Sequence, residues 1–563
     1  MNNLFEYIKN KKYLDYIILF CIVIVSSILF SQHNIHILSD RGRELLFPLS
    51  IINGQALYKD VLTIYFPLAY YINAVLFKIF GASLNTIYIS QTIYCLIFSF
   101  IYFKVCKMFF DRFTSILATI SIITSCLFFQ HLFGYILPYS YSMTYGLLMF
   151  LTALYFLLKA FKTQKNEYFY ISSLSASFAI CCKIEFFSLF ILIPIAMLLY
   201  KSKDILFYIK NILSISLFPI ITIGLLFING VTFYDIVKSI DFAKHFASSK
   251  SMYKFLQHIG MYPTFSEEYL KLLLASILGI ILYCILIFLT VKIYNKLKNK
   301  FVLIFPISIF ILILWIYTNP YCYTFLLPIT VIVLSLCSMK DLLNNPEKLI
   351  VILFGMASSV RIFFSMQMNL YGTYTFPFLI LAFLILFQCF FQRYRKADVK
   401  KYIAFGLLIY IVLFTVLNFC CRNFASSPLK TNKGTIYLPK EQTEVIANIL
   451  SYIEQKTTKE DTILVLPEGS ILNYFSDRKC DMSLHMLDGL YYEALGTQKT
   501  IKLLDDINYD YIILVDGFYL GSYENQKLFY NVLSKYIFSK YKIEYSFADK
   551  SNTNRIIIMK KRD

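Results

Sequence analysis

Apolar runs, each about as long as a bilayer is thick, constrain this chain more than any other feature of its sequence. Of its 563 residues, 58% are hydrophobic and 15% are charged, whereas about a quarter of the residues of a soluble domain are charged. A helix needs about 20 predominantly apolar residues to cross a membrane. Hydropathy along the chain predicts about 13 such spans, the first from Tyr13 to Phe30. We therefore expect a polytopic α-helical membrane protein.

The formal net charge of +19 lies largely in short basic runs between the apolar stretches, such as Lys296, Lys298 and Lys300. Basic loops of this kind are retained on the cytoplasmic side of a membrane, so we do not expect nucleic acid as a partner. The alternation of basic and basic-poor loops predicts a multi-pass protein of the cytoplasmic membrane. Its N-terminus is expected in the cytoplasm and its C-terminal segment outside.

Cysteine and histidine give little support for a metal centre. Most of the 13 Cys lie inside apolar runs and no Cys-x-x-Cys pair occurs, so neither a disulfide framework nor a zinc site is indicated. His33 and His36 are three residues apart and close to Asp40, an arrangement that a metal could exploit, but a surface loop is the favoured interpretation. We predict no cofactor and no metal ligands, and a divalent metal stays open.

The composition changes near residue 420 and predicts two domains. Residues 1–420 are expected to form the transmembrane domain, with long outer loops at 32–82 and 229–268. Residues 421–563 have the charge density of a soluble protein, and the short β-rich runs at 462–466, 511–515 and 555–559 alternate with helical patterns. About 140 residues suffice for one small α/β domain, which we expect on the extracytoplasmic side.

Asp40 and Glu44 begin a segment in which charged and apolar residues alternate at helical spacing. The spacing predicts an amphipathic helix on the outer membrane face. A carboxylate at that depth is partly desolvated and can accept a proton from an acceptor hydroxyl or amine. The alternative is structural, because Asp40 precedes the helix and is a suitable N-cap residue.

Other polar residues interrupt apolar surroundings further along the chain. Lys183 and Glu185 lie between two apolar runs, where ionisable groups are costly unless they are paired or face a polar cavity. Arg361 is expected at the outer end of a span, and its guanidinium suits phosphate recognition. Tyr139 and Tyr141 lie in a loop that Pro and Gly mark, and their hydroxyls could bind sugar or phosphate oxygens. Surface anchoring and packing are the alternatives.

Eight short segments, which include the residues above, follow one another along nearly the whole chain. They are Asp40-Arg41-Gly42-Arg43-Glu44, Asn53-Gly54, Leu57-Tyr58-Lys59-Asp60, Tyr65-Phe66-Pro67-Leu68, Pro138-Tyr139-Ser140-Tyr141, Lys183-x-Glu185, Arg361 with Tyr371-Gly372, and Leu466-Pro467-Glu468-Gly469. In this order they resemble the polyprenyl-phosphate-sugar-dependent glycosyltransferases of the GT-C fold. The resemblance is greatest to bacterial family-39-like members, which are related to the protein mannosyltransferases and to the aminoarabinose transferases of lipid A.

The resemblance implies an enzyme of cell-envelope glycan biosynthesis. Such an enzyme moves a hexosyl or pentosyl group from a polyprenyl-phosphate donor to an extracytoplasmic glycolipid, polysaccharide or protein by an inverting displacement. It implies Asp40 as the general base. The protein mannosyltransferases carry adjacent Asp and Glu in this loop, whereas Arg41 follows Asp40 here, so Glu44 and Asp60 stay as rival carboxylates. The implied roles of the other residues are donor-phosphate binding by Lys183 and Arg361, and substrate binding by Tyr139, Tyr141, Glu185 and Tyr371.

A flippase or transporter of lipid-linked glycans, or a polymerase that joins them, is the alternative. Each would also be apolar, basic on the inside and rich in aromatic residues. Transporters commonly carry internal repeats, and this sequence shows none. A polymerase typically places its reactive loop in the middle of the chain rather than after the first span. The long loop after that span and the appended outer segment therefore favour a transferase.

Overall fold

The computed structural model describes residues 13–35, 37–38, 40–129, 134–258, 321–363, 368–395, 399–516, 526–548 and 555–562. Within this part of the chain, four helices are long and apolar enough to cross a membrane: Leu84–Cys106, Tyr141–Thr163, Ile205–Ile228 and Ile403–Phe424. Shorter apolar helices accompany them, and the chain is a multi-pass membrane protein. The predicted spans near 269–292 and 301–317 lie outside the described residues, so the total of about 13 stays a prediction.

The helices of the membrane part are, in chain order, α1 (Leu14–Phe30), α2 (Arg41–Ile52), α3 (Leu68–Phe80), α4 (Leu84–Cys106), α5 (Arg112–Ile122), α6 (Tyr141–Thr163), α7 (Asn166–Cys182), α8 (Leu189–Tyr200), α9 (Ile205–Ile228), α10 (Phe233–Ser248), α11 (Lys250–His258), α12 (Tyr321–Cys337), α13 (Met339–Leu343), α14 (Pro346–Phe363), α15 (Met368–Arg395) and α16 (Val399–Phe424). A π-helical turn, Ile123–Leu127, continues α5, and a 3₁₀ turn, Ile184–Ser188, joins α7 to α8.

Side-chain caps fix where several of these helices begin. Ser83 accepts a hydrogen bond from the Thr86 amide at the start of α4, and Asp111 does the same for the Thr114 amide at the start of α5. Such caps satisfy amide groups that have no partner inside the helix. A π-helical turn leaves backbone carbonyls free, and the Thr124 carbonyl accepts from the Asn418 side chain at 2.8 Å. This bond joins α16 to the end of α5.

The C-terminal region begins after α16 and is a small sheet flanked by helices; we call it the outer region after its predicted location. Its elements are β1 (Ser427–Thr431), β2 (Gly434–Leu438), α17 (Lys440–Lys456), β3 (Ile463–Leu466), α18 (Ile471–Ser476), α19 (Gly489–Leu495), α20 (Thr497–Ile507), β4 (Tyr511–Asp516), α21 (Gln526–Lys540), β5 (Tyr541–Ala548) and β6 (Arg555–Lys561). The strand order is β3-β4-β6-β5, with β3 and β4 parallel and the other pairs antiparallel. β1 and β2 form a separate hairpin. The α/β character predicted for this region is confirmed.

Backbone hydrogen bonds join the outer region to the membrane part. The hairpin strand β2 pairs with the chain after α1, where the Tyr437 amide donates to the Gln32 carbonyl at 2.8 Å. The Leu84 amide, at the start of α4, donates to the Lys433 carbonyl at 2.8 Å. α16 also runs past the predicted boundary at residue 420. The division into 1–420 and 421–563 stays a prediction, but the two segments meet through main-chain contacts at several places.

The first outer loop folds into α2 and α3, and the second into α10 and α11. α2 was predicted to be an amphipathic helix that lies on the outer membrane face. Instead, Arg41, Arg43 and Glu44 are buried together with the apolar residues of the helix. The reason is that the segment between β3 and α18 covers one side of α2. A methyl group on Gly42 would overlap the Ile471 amide nitrogen.

Candidate active site

Asp40 lies in the segment that joins α1 to α2, immediately before the start of α2. Its backbone has φ +53° and ψ −32°, a left-handed conformation that side-chain-bearing residues adopt with strain. The Asp40 amide donates to Oε1 of Glu468 in the outer region. Asp40 occupies the N-cap position of α2, but its carboxylate makes no capping hydrogen bond to the helix. Helix capping therefore does not account for this side chain. The carboxylate is 28% exposed, which leaves it accessible to a reacting group.

Arg43 connects Asp40 to the rest of the site. Its Nη1 donates to Oδ1 of Asp40 at 2.5 Å and to the Tyr65 hydroxyl at 3.0 Å. Its Nη2 donates to the Tyr139 carbonyl at 2.8 Å, and its Nε to Oε1 of Glu44 at 3.1 Å. The guanidinium carbon also lies 4.1 Å from the centre of the Tyr65 ring. One buried side chain therefore fixes the orientation of Asp40 against three other residues.

Glu44 is fully buried and its two oxygens are both engaged. Oε1 accepts from the Tyr70 hydroxyl at 2.8 Å, and Oε2 accepts from the Tyr141 amide at 2.7 Å. Burial raises the pKa of Glu44, and the charge of Arg43 opposes that shift. Glu44 therefore ties α2 to α3 and to the start of α6, and it does not reach solvent as Asp40 does.

Lys183 lies between α7 and the 3₁₀ turn that follows it. Its Nζ donates to the Tyr139 hydroxyl and lies 3.3 Å from Oε1 of Glu185. Tyr139 thus binds Lys183 through its hydroxyl and Arg43 through its carbonyl. One residue, Tyr139, therefore links the Asp40–Arg43 pair to the Lys183–Glu185 pair. Tyr141 adjoins these residues through Glu44.

The outer region contributes ionisable groups to the same place. Burial, followed by the charge of Asp40, raises the pKa of Glu468 well above its usual range. Burial raises the pKa of Asp488 to about 6 and lowers that of His485 to about 3, the latter with help from the Arg43 charge. These groups are buried beside Asp40 and Arg43, and charges interact more strongly in such surroundings than in water.

Three of the predicted site residues are not placed with the others. Oδ2 of Asp60 accepts from the Ala56 amide at 2.8 Å within its own exposed turn. The backbones of Arg361 and Tyr371 belong to α14 and α15, and their side chains lie outside the described part of the structure. Their predicted roles in phosphate and substrate binding stay predictions.

No metal centre emerges from the part of the chain that the structure describes. It contains no group of three or more His, Cys, Asp or Glu side chains that could hold a metal ion. Nδ1 of His33 lies 2.6 Å from the Ala425 carbonyl, and its ring stacks on Tyr437 at 4.8 Å. This histidine therefore joins α1 to the outer region, while His36 lies outside the described residues.

Comparison with known proteins gives a fold. No family model and no curated protein sequence matches the chain. ArnT from Cupriavidus metallidurans, solved with undecaprenyl phosphate, is 12% identical with a TM-score of 0.50, over 97% of this chain and 97% of that one. The oligosaccharyltransferase AglB from Archaeoglobus fulgidus, solved with an inhibitory peptide and a dolichol-phosphate, is 11% identical with a TM-score of 0.50, over 90% of this chain and 70% of that one. Both are GT-C-fold glycosyltransferases.

The chain has a GT-C-like fold. The fold implied by the sequence resemblance is thereby confirmed. In this GT-C-like chain, the Asp40 site lies where the first outer loop, the start of α6 and the outer region meet.

Sequence reasoning did not assign a role to Arg43, Glu468 or Asp488. Glu468 follows the buried strand β3, which is parallel to β4. Ligand-binding and catalytic groups commonly stand at the carboxyl ends of parallel strands. A carboxylate two residues after a four-residue apolar strand was therefore a usable signal. Asp488 has a weaker one, as the cap of the short helix α19.

Proposed function

We propose that this protein is a membrane glycosyltransferase. It moves a sugar from a polyprenyl-phosphate donor to an extracytoplasmic glycolipid, polysaccharide or protein, and Asp40 is its general base. The observation that carries the proposal is the Asp40 carboxylate itself. It is partly exposed, it is oriented by Arg43 at 2.5 Å, and Tyr139 contacts both Arg43 and the ammonium group of Lys183.

The reaction is a single displacement. The acceptor oxygen or nitrogen forms a bond to the anomeric carbon, and its proton passes to Asp40. Oδ1 of Asp40 is bonded to Arg43, so we assign the incoming proton to Oδ2. The bond between the anomeric carbon and the phosphate oxygen breaks, and the electron pair leaves with the polyprenyl phosphate. Glu44 is a poor alternative because both of its oxygens accept hydrogen bonds inside the fold.

Lys183 is suited to the leaving phosphate. Its ammonium group is largely buried and is held by the Tyr139 hydroxyl and Glu185. A fixed positive charge in a site of low dielectric stabilises the negative charge that develops on the phosphate oxygen. The two similar solved structures were each determined with a polyprenyl phosphate, undecaprenyl in one case and dolichol in the other, which supports this class of donor.

The position of Asp40 beyond the C-terminal end of α1 supports transfer on the outer face of the cytoplasmic membrane. Asp15, near the start of α1, pairs with Arg112 at 2.6 Å, and Arg112 belongs to one of the basic loops that are typical of the cytoplasmic side. Asp40 follows the other end of α1. The site therefore lies on the side opposite the basic loops, where lipid-linked sugars meet extracytoplasmic acceptors.

Release of free polyprenyl phosphate tests the proposal. Purified protein would be given a panel of polyprenyl-phosphate sugars with a membrane glycolipid extract as acceptor. We expect turnover by the wild type and its loss in Asp40→Asn, because Asn has nearly the same size and shape as Asp but cannot take the proton. Asp60→Asn is the matched control, since the amide oxygen still accepts from Ala56. Turnover that survives in Asp40→Asn and disappears in Asp60→Asn would move the base, and no turnover with any donor would refute the transferase.

A further inference from the structure

The outer region reaches the site at the residue that we assign as the base. The Asp40 amide donates to Glu468, and Gly42 packs directly on Ser470 and Ile471. The sequence separation between Asp40 and Glu468 is 428 residues. The segment after β3 therefore contacts the start of α2 at two points, through the hydrogen bond to Glu468 and through the packing against Gly42.

Asp40 needs such a partner because of its backbone. A left-handed residue that carries a side chain is strained, and it persists only where its surroundings over-determine it. Besides the helical bond that its carbonyl accepts from the Glu44 amide, two bonds hold Asp40: its amide donates to Glu468, and its Oδ1 accepts from Arg43. The first fixes the backbone and the second fixes the side chain.

Glu468 is itself held rigidly. It follows β3, whose residues are all buried, and it precedes Gly469, which has φ +146° and no room for a side chain beside Val465. The Pro467 carbonyl on its other side accepts from the Leu487 amide at 3.0 Å. Because the loop is fixed in this way, the Glu468 carboxylate can hold the Asp40 amide in one position.

We propose that Glu468 is a positioning residue, which holds the Asp40 backbone in the conformation that presents the Asp40 carboxylate to the acceptor. This inference rests on the proposed function and extends it, because it makes the outer region a part of the catalytic apparatus rather than a cover for the acceptor. The role needs only a hydrogen-bond acceptor at Oε1. A neutral side chain that keeps an oxygen there performs it equally well.

Kinetics of Glu468→Ala and Glu468→Gln test the inference. For Glu468→Ala we expect kcat for polyprenyl phosphate release to fall about 100-fold with the donor KM little changed, since a base misplaced by about 1 Å loses that much. Glu468→Gln keeps the acceptor oxygen and should stay near the wild type. Glu460→Ala removes an exposed carboxylate of the same region, which pairs with Lys479, and should have no effect. A normal kcat in Glu468→Ala, or equal losses in both Glu468 variants, would overturn the inference.

A double variant separates positioning from general structural damage. If Glu468 acts through Asp40, then Asp40→Asn with Glu468→Ala is no slower than Asp40→Asn alone. A further fall in the double variant would mean that Glu468 acts elsewhere, and the inference would fail while the assignment of Asp40 stands.

Hydrogen exchange measures the hydrogen bond between the Asp40 amide and Glu468 without requiring turnover. We expect the Asp40 amide to exchange about tenfold faster in Glu468→Ala, as for a lost hydrogen bond in a buried site, and at the wild-type rate in Glu468→Gln. Unchanged exchange in Glu468→Ala would refute the positioning role. If the wild type shows no turnover but the exchange rates behave as expected, the proposed function fails and the contact stands.

Discussion

Arg43 donates hydrogen bonds to Asp40, Glu44, Tyr65 and Tyr139, which belong to the first outer loop and to the loop before α6. Only a guanidinium carries enough donors in a fixed plane to make these bonds at once, and a lysine ammonium would leave some of the acceptors unpaired. Its burial is tolerable because the two carboxylates balance its charge. The geometry of Asp40 is thus set by a residue that need not contact substrate.

Lys183 gives the first prediction at the scale of single residues. Lys183→Met should lower kcat/KM for polyprenyl phosphate release by about 100-fold, because one charge that stabilises the leaving phosphate is removed. Lys183→Arg should retain part of the activity. Initial rates over a range of donor concentrations measure both. Lys162→Met is the control, since Lys162 is exposed and donates to the Met108 carbonyl. Equal kcat/KM in Lys183→Met and the wild type would remove Lys183 from the phosphate site.

The sequence predicted part of this site because ionisable residues in apolar surroundings are costly and therefore informative. Lys183 and Glu185 were singled out in this way, whereas Asp40 and Glu44 were singled out by the helical spacing of charged and apolar residues. The sequence could not separate Asp40 from Asp60, because both follow turns in the same loop. Only the structure shows that Asp60 bonds to its own turn. The contact with Glu468 has no local pattern, since it joins residues hundreds of positions apart.

At the scale of elements, the close contact between α2 and α18 matters most for the geometry of the site. Gly42 stands where the two approach so closely that a methyl group would overlap the backbone of Ile471. Backbone atoms cannot yield as a flexible side chain can, so the two elements would have to separate. Because α2 carries both Asp40 and Arg43, a small displacement here reaches the site.

Gly42→Ala should therefore reduce both stability and activity. We expect a loss of about 1 to 3 kcal/mol in apparent stability, the range for overpacking a tight site, together with a lower kcat. Thermal unfolding in detergent measures the first, and polyprenyl phosphate release the second. Gly224→Ala is the control because a methyl group there would meet nothing within 4 Å. If Gly42→Ala were as stable and active as the control, the close approach of α2 to α18 would be wrong.

Asp488 gives a prediction about pH. Burial raises the pKa of Asp488 to about 6, above its unfolded value of about 4. Between these values the folded protein binds the proton more tightly than the unfolded chain, so this group destabilises the protein as the pH rises from about 4 to about 6. Asp488→Asn keeps the cap on the Tyr491 amide and removes the titration. Relative to the wild type, the variant should gain roughly 2 kcal/mol across that window. A difference that stays constant with pH would contradict the shift.

The four described helices that are long and apolar enough to cross a membrane coincide with predicted spans, because apolar length alone decides them. The strands at 463–466, 511–516 and 555–561 were also predicted within a few residues. The burial of α2 could not be predicted, since a helix with alternating charges has the same sequence pattern whether its charged residues face water or an ion-pairing partner. The helix α10 carried a signal that was overlooked, the capping box in which Thr232 and Asp235 bond reciprocally.

At the scale of the whole molecule, the outer region and the membrane part meet where the chemistry is proposed to occur. The two parts exchange main-chain hydrogen bonds at Gln32, Leu62 and Leu84, and they share the Asp40 site. The order of motifs was enough to predict a GT-C-like fold. The docking of the outer region was not predictable in detail, because it depends on contacts between the two ends of the chain.

The assignment of Asp40 as the base can be tested most directly with an acceptor that carries no proton. Azide is an anion at neutral pH and attacks the anomeric carbon without a general base. In Asp40→Asn supplied with a polyprenyl-phosphate sugar, we predict that azide restores release of polyprenyl phosphate and yields a glycosyl azide of inverted configuration. Acceptors with hydroxyl or amine groups should not restore it. An Asp40→Asn protein that stays folded yet is as inactive with azide as without it, or is fully active with ordinary acceptors, would contradict Asp40 as the base.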